Sequence, residues 1–232
     1  MNDLTRPAHA GSGSSIVNGL SVDIEDWFQV GAFEKVIERD DWNSLADRVE
    51  RNLREILDLF DAAEVKATFF ALGRVARRHG GLMHEIVARG HELASHGWDN
   101  GHVFRMDRKT FAEDLARARQ VLEDAAGVPI RGYRAPGFSI DRRTPWAFME
   151  LAEQGYAYSS SVAPLSNAHF GWADAPRFAF RPLPWSPLLE IPVTTAMFAG
   201  KRLLAAGGGF FRVIPYAVTR WAIRQVNACD GR

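Results

Sequence analysis

With 232 residues, 47% of them hydrophobic and 24% charged, the chain is long enough to form a single α/β domain. Lysine plus arginine and aspartate plus glutamate number 28 each, so the basic excess that a nucleic-acid or membrane-surface partner requires is absent. Cys229 is the only cysteine, which excludes an intrachain disulfide and a thiolate metal cluster, and no run approaches the ~18 apolar residues of a membrane span.

Met1 to Ser15, rich in Ala, Gly and Ser with no apolar centre, reads as a disordered lead rather than a secretory signal. The expectation is a cytoplasmic protein whose one domain occupies 16–232. The first apolar run, Leu20 to Phe28, ends in three carboxylates within four positions: Asp23, Glu25 and Asp26. Acidic side chains are poor strand formers, and the C-terminal ends of parallel strands are where α/β enzymes place their chemistry.

Leu45, Val49, Leu53, Ile56, Leu57 and Phe60 recur at helical spacing behind the N-cap candidates of Asp41–Ser44. Val65 to Gly73 is nearly continuous in apolar residues, as in a strand buried on both faces, and completes a βαβ unit. The alternation continues with a helix over 82–89, a strand over 92–96 and a helix over 108–126 stopped by Gly127. A strand over 131–138, a helix over 144–154, strands over 156–162 and 185–195, and a helix over 213–226 follow. Pro215 is tolerated in the first turn of that last helix. Residues 163–184 form a long aperiodic loop expected to cover one face of the sheet. Five or six β/α alternations favour a barrel over an open sheet.

Two further stretches carry candidate chemistry. His96 and His102 stand in a loop marked by Gly97 and Gly101, and two histidines plus a carboxylate make an open divalent metal site. Arg134, in the run Arg131 to Phe138, sits in an apolar strand where a guanidinium needs a carboxylate partner. Beside Asp23 it would orient that carboxylate and hold it ionised, as a general base requires.

Asp-x-Glu-Asp after the first strand, Ser95-His96-Gly97-Trp98 in mid-chain and Arg131-Gly132-Tyr133-Arg134-Ala135-Pro136-Gly137-Phe138-Ser139, in that order, resemble the polysaccharide deacetylase family (NodB-homology, carbohydrate esterase 4). Tyr158 to Ser161 and His169 to Trp172 are similar to its exosortase-associated exopolysaccharide branch. The resemblance implies an irregular (β/α) barrel of about seven strands, an N-acetyl amino-sugar deacetylase, a glycan substrate and a divalent metal, zinc by ligand type. It implies Asp23 as base, Glu25 or Asp26 as carboxylate ligand, and His96 as the first metal histidine.

The chain departs from the pattern twice. The second metal histidine normally stands four residues after the first, where this chain has Asn100; His102 serves only if the two glycines break helical geometry. The strand bearing the family's acid histidine, in a His-Pro-Trp-Glu-like motif, does not follow the last helix, which leaves His169 as the candidate to protonate the leaving amine instead. The expectation is therefore a C-terminally truncated barrel lacking its last strand, with reduced stability and weak or no activity. Trp98, Pro136, Phe138 and Trp172, with Trp185, are candidates to line or stack on the sugar. Two rivals stand: a metal-free amidohydrolase of the same barrel acting on cyclic amides or imides, and a non-catalytic glycan-binding protein.

Overall fold

Six strands, each followed in the chain by a return segment, build one sheet in the computed structural model, which describes residues 17–166, 171–205 and 207–230. They are β1 (Ser21–Ile24), β2 (Thr68–Ala71), β3 (Glu92–Ser95), β4 (Gly132–Tyr133), β5 (Tyr158–Ser159) and β6 (Leu189–Glu190). All pair in parallel and their spatial order is their chain order. Right-handed crossovers that always step to the next neighbour place the helices on one face. That is the winding of a barrel, whereas a doubly wound sheet reverses its order part-way.

The sheet is curled. Laid flat, β1 and β4 would stand about 14 Å apart, three strand spacings. Arg134, the residue after β4, nevertheless hydrogen-bonds Asp23 of β1 at 2.8 Å. Among the described residues no pairing joins β6 back to β1.

The helices are α1 (Val49–Ala62), α2 (Gly73–Arg78), α3 (Gly80–Ala88), α4 (Arg108–Ala126), α5 (Ala147–Glu153), α6 (Gly208–Val213) and α7 (Tyr216–Asp230). α4 has the bounds its sequence predicts because both ends are encoded. Asp107 accepts the Thr110 N–H at 2.7 Å, and Gly127 closes the helix in the left-handed region at φ 70°. Leu53 and Leu57 of α1, Met83 and Ile86 of α3, and Phe111, Leu115 and Leu122 of α4 pack with Phe69 of β2 in one core, almost all fully buried. At roughly 25 cal/mol per Å² of apolar surface removed from water, this layer is the main stabilising element.

Other bounds shift for local reasons. α1 starts at Val49 rather than Leu45, because the Asp26 carboxylate receives the Arg48 and Val49 N–H groups and fixes the first turn there. The run Val65–Gly73 yields only a four-residue strand, after which the chain turns into α2, a helix the periodicity does not reveal. The expected strand over 131–138 shortens to two residues because Pro136 to Phe138 turns away, with Gly137 at φ 60°. The helix expected from Val213 divides at Pro215, so α7 begins at Tyr216.

The run 185–195 contributes β6 and then enters an antiparallel hairpin, β7 (Thr195–Phe198) with β8 (Lys201–Leu204), which the sequence reading lacks. Ala196, Ala205, Ala222 and Val226 form a small second cluster under it. The expected lead over 1–15 and His169 lie outside the described residues.

Candidate active site

The site grows from the C-terminal end of β1. Asp23 is one-third exposed there, with Oδ1 2.8 Å from Arg134 Nη1. Arg134 is buried and fully engaged. Nη1 also donates to Ser21 Oγ at 3.0 Å, Nε to the Ser160 carbonyl at 3.1 Å, and Nη2 to Ser160 Oγ at 2.9 Å. Its guanidinium carbon lies 4.0 Å from the centre of the Phe70 ring. A buried cation is tolerated when its donors are satisfied, and this one has one ionised and three neutral contacts. The Asp23–Arg134 pairing expected from sequence is thus present in the structure.

His96 follows β3 and is almost fully buried. Its Nδ1 lies 2.8 Å from the Arg134 carbonyl, which only accepts, so Nδ1 carries a proton and Nε2 faces Glu25 Oε1 at 3.0 Å. Burial opposes charging of the ring, but the Asp23 and Glu25 carboxylates and the carbonyl contact outweigh it and raise its pKa.

The two carboxylates left open by the sequence now separate. Asp26 Oδ1 accepts the Trp27 N–H at 2.8 Å, and Oδ2 accepts those of Arg48 and Val49 at 2.9 and 3.3 Å. Asp26 is therefore the N-terminal cap of α1, turned away from His96, and Glu25 is the carboxylate that meets the histidine.

Asp23, Glu25, His96, Asn100, His102 and Phe138 line one cavity of about 500 Å³. His102 stands in it as a packed side chain. Its ring stacks on Phe104 at 5.0 Å and presses on Gly137, where an added Cβ would lie 2.7 Å from Nε2. Its Nδ1 is buried without a protein partner, and burial lowers its pKa. Asn100, at φ 63°, donates from Nδ2 to the Gln29 carbonyl at 2.6 Å.

Among the described residues, no three histidine, cysteine, aspartate or glutamate side chains gather closely enough to hold a metal ion. The expected metal therefore finds two donors that meet, Glu25 and His96, and lacks a converged third.

Of the candidates for lining the sugar site, Phe138 borders the cavity and the others do not. Trp98 is buried beneath the Arg117 guanidinium, 3.6 Å away. Pro136 is buried in the turn after β4, and Trp172 packs against the main core. Trp185 is 67% exposed, also outside the cavity.

The sequence reading missed Ser21 and Ser160 as partners of Arg134, and it missed Asp114. Asp114 Oδ2 accepts the Trp98 N–H at 3.1 Å, and burial pushes its carboxyl up to about 6. An acid three residues after Phe111 on the apolar face of α4 was the available signal.

The family model for polysaccharide deacetylase matches residues 40–158, and a domain of unknown function (DUF3473) matches 160–232. The sheet runs across that boundary, since β5 pairs with both β4 and β6. The peptidoglycan-N-acetylglucosamine deacetylase of Bacillus cereus is 26% identical over 94 residues, 40% of this chain and 34% of the relative. The peptidoglycan deacetylase of Helicobacter pylori is 26% identical over 113 residues, 49% of this chain and 38% of the relative. The match thus spans little more than a third of these curated relatives. A polysaccharide deacetylase candidate of solved structure from Mycobacterium smegmatis shares the fold, at TM-score 0.59 and 22% identity, over 88% of this chain and 72% of that one.

Proposed function

This chain belongs to the polysaccharide deacetylase family, and we propose that it hydrolyses the N-acetyl amide of an amino sugar within a glycan. One observation carries the reading. A carboxylate at a parallel strand end, Asp23, is held by a buried arginine at 2.8 Å and opens onto a cavity of about 500 Å³. Arg134 aims the Asp23 carboxylate, so that Asp23 takes the proton of a water attacking the acetyl carbonyl. His96, tethered through Nδ1, sets the opposite wall and orients Glu25. Hydrolysis breaks the C–N bond and yields acetate and a free amine.

The curated relatives named for peptidoglycan deacetylation support the reaction class. An exopolysaccharide as the glycan rests on the likeness of Tyr158 to Ser161 and the residues around Trp172 to one branch of the family. The divalent metal of that family, zinc by donor type, would rest on Glu25 and His96 here; among the described residues no third histidine, cysteine or carboxylate converges on them, and no step above runs through a metal. The same shortfall favours, as a second reading, a metal-free amidohydrolase of this barrel acting on a cyclic amide or imide.

The test is acetate release from an N-acetylglucosamine oligomer. Asp23→Asn is expected to lower the rate by about 10²- to 10⁴-fold, the range of a lost general base. Equal rates for the two proteins would refute the assignment.

A further inference from the structure

A second cavity, of about 410 Å³, lies beside the first and shares Phe28, Gln29 and Trp42 with it. Arg74, Arg77, Arg78 and Arg117 border it. The nearby acids are already engaged. Asp47 pairs with Arg78 at 2.9 Å and His79 at 3.2 Å, and Asp26 is taken up by three backbone N–H groups. Arg74, Arg77 and Arg117 form no ion pair within 4 Å among the described residues, although the Asp114 carboxyl, which accepts the Trp98 N–H, lies within electrostatic reach of Arg117.

Two of these guanidiniums are also pre-positioned. Arg117 lies 3.6 Å from the centre of the Trp98 ring, and Arg74 lies 5.4 Å from that of Trp42 while donating to Asn43 Oδ1 at 3.2 Å. Arg39, which borders the first cavity, lies 5.6 Å from the Trp42 ring centre but is paired with Asp99 at 2.8 Å. Stacking fixes a planar cation at low entropic cost and leaves its in-plane donors free for a planar or tetrahedral oxyanion. A net positive cavity walled by tryptophan, next to a hydrolytic one, is the arrangement expected for an acidic unit adjoining the reacting sugar.

We propose that this cavity binds an oxyanion substituent, a carboxylate or a phosphate, on the glycan whose acetyl group enters the Asp23 cavity. The placement on a glycan rests on the hydrolase reading above; the anion site itself stands on Arg74, Arg77 and Arg117.

Binding of three probes is measured by calorimetry on the whole chain at low and high salt. They are a neutral N-acetylglucosamine tetramer, a hyaluronan tetrasaccharide that alternates glucuronate with N-acetylglucosamine, and inorganic pyrophosphate. For a carboxylate site, the acidic tetrasaccharide binds about tenfold tighter than the neutral one at low salt, as expected for one or two charge-assisted contacts, and loses that margin at high salt. For a phosphate site, pyrophosphate binds and the tetrasaccharides do not differ. Either margin disappears in Arg74→Gln/Arg117→Gln, and Arg77→Gln alone reduces it. Far-UV circular dichroism confirms that these variants are folded.

No discrimination by charge, or discrimination that survives in the double variant, overturns the proposal. Acetate release from the neutral tetramer is scored separately. Its absence alongside arginine-dependent anion binding defeats the hydrolase reading and leaves the anion site standing. Acetate release without anion binding does the reverse.

Discussion

The two walls of the Asp23 cavity differ in how completely they are built. On one, every donor of consequence is matched: Arg134 spends its N–H groups on Asp23, Ser21 and Ser160, and each partner sits on a strand or the segment directly after one. On the other, Glu25 and His96 meet at 3.0 Å, while Asn100 is tied to Gln29 and His102 is stacked away on Phe104. The first wall is anchored in the curled sheet. The second joins Glu25 and His96, also directly after strands, to Asn100 and His102 on the loop over 97–102, whose backbone turns through Gly97 at φ 78° and Asn100 at φ 63°. A site built on sheet ends keeps its geometry from the core, whereas one built on a loop needs added supports.

Asp114 is such a support, and it offers the largest effect on the loop wall. Its carboxyl is raised from 3.8 to about 6 by burial, against the Trp98 N–H bond that favours its ionised form. In the folded protein the proton is therefore held to higher pH than in the unfolded chain. Its contribution to stability is largest below pH 3.8 and declines as pH rises through 6, by about 3 kcal/mol for a shift of this size. Asp114→Asn is expected to remove that decline while keeping an acceptor for Trp98. Denaturant midpoints of both proteins between pH 4 and 7 check it, and parallel pH profiles would contradict it.

A smaller effect comes from completing the second wall. Asn100→His exchanges an amide for an imidazole in the cavity that Glu25 and His96 also line and is expected to tighten zinc binding by at least about 10-fold, since imidazole is a better zinc ligand than an amide. Zinc titration against a chelating indicator measures it, and unchanged affinity would mean that the loop holds position 100 out of reach. The smallest effect belongs to Asp26. Asp26→Ala removes a helix cap and is expected to cost roughly 0.5–2 kcal/mol in thermal stability while zinc affinity stays the same. A loss of zinc binding would return Asp26 to the ligand role.

Much of this contrast was legible in the chain itself. The order of acidic strand end, histidine loop and arginine run pointed to residues that the structure brings to one cavity, because strands of a parallel sheet in chain order bring their C-terminal ends together. The Asp23–Arg134 pair followed from the cost of an unpaired guanidinium. The choice between Glu25 and Asp26 did not, since it depends on where the chain turns after β1, and that turn is set by a helix start 22 residues later in the sequence. Trp172 misled because a large aromatic serves a core as well as a sugar face. The hairpin β7–β8 starts only where the predicted strand over 185–195 ends, in a stretch given no element from the sequence, and α2 was too short for its periodicity to register.

The central claim is that Asp23 and Arg134 act as one unit, and a double-mutant cycle on acetate release tests it most directly. Asp23→Asn, Arg134→Gln and the combined variant are compared with the unaltered chain on an N-acetylglucosamine oligomer, with folding of each checked by circular dichroism. The account predicts strong non-additivity: once Asp23 is gone, removing Arg134 lowers the rate little further. Losses that simply multiply would contradict it, because they would mean that the buried arginine and the carboxylate it touches contribute independently.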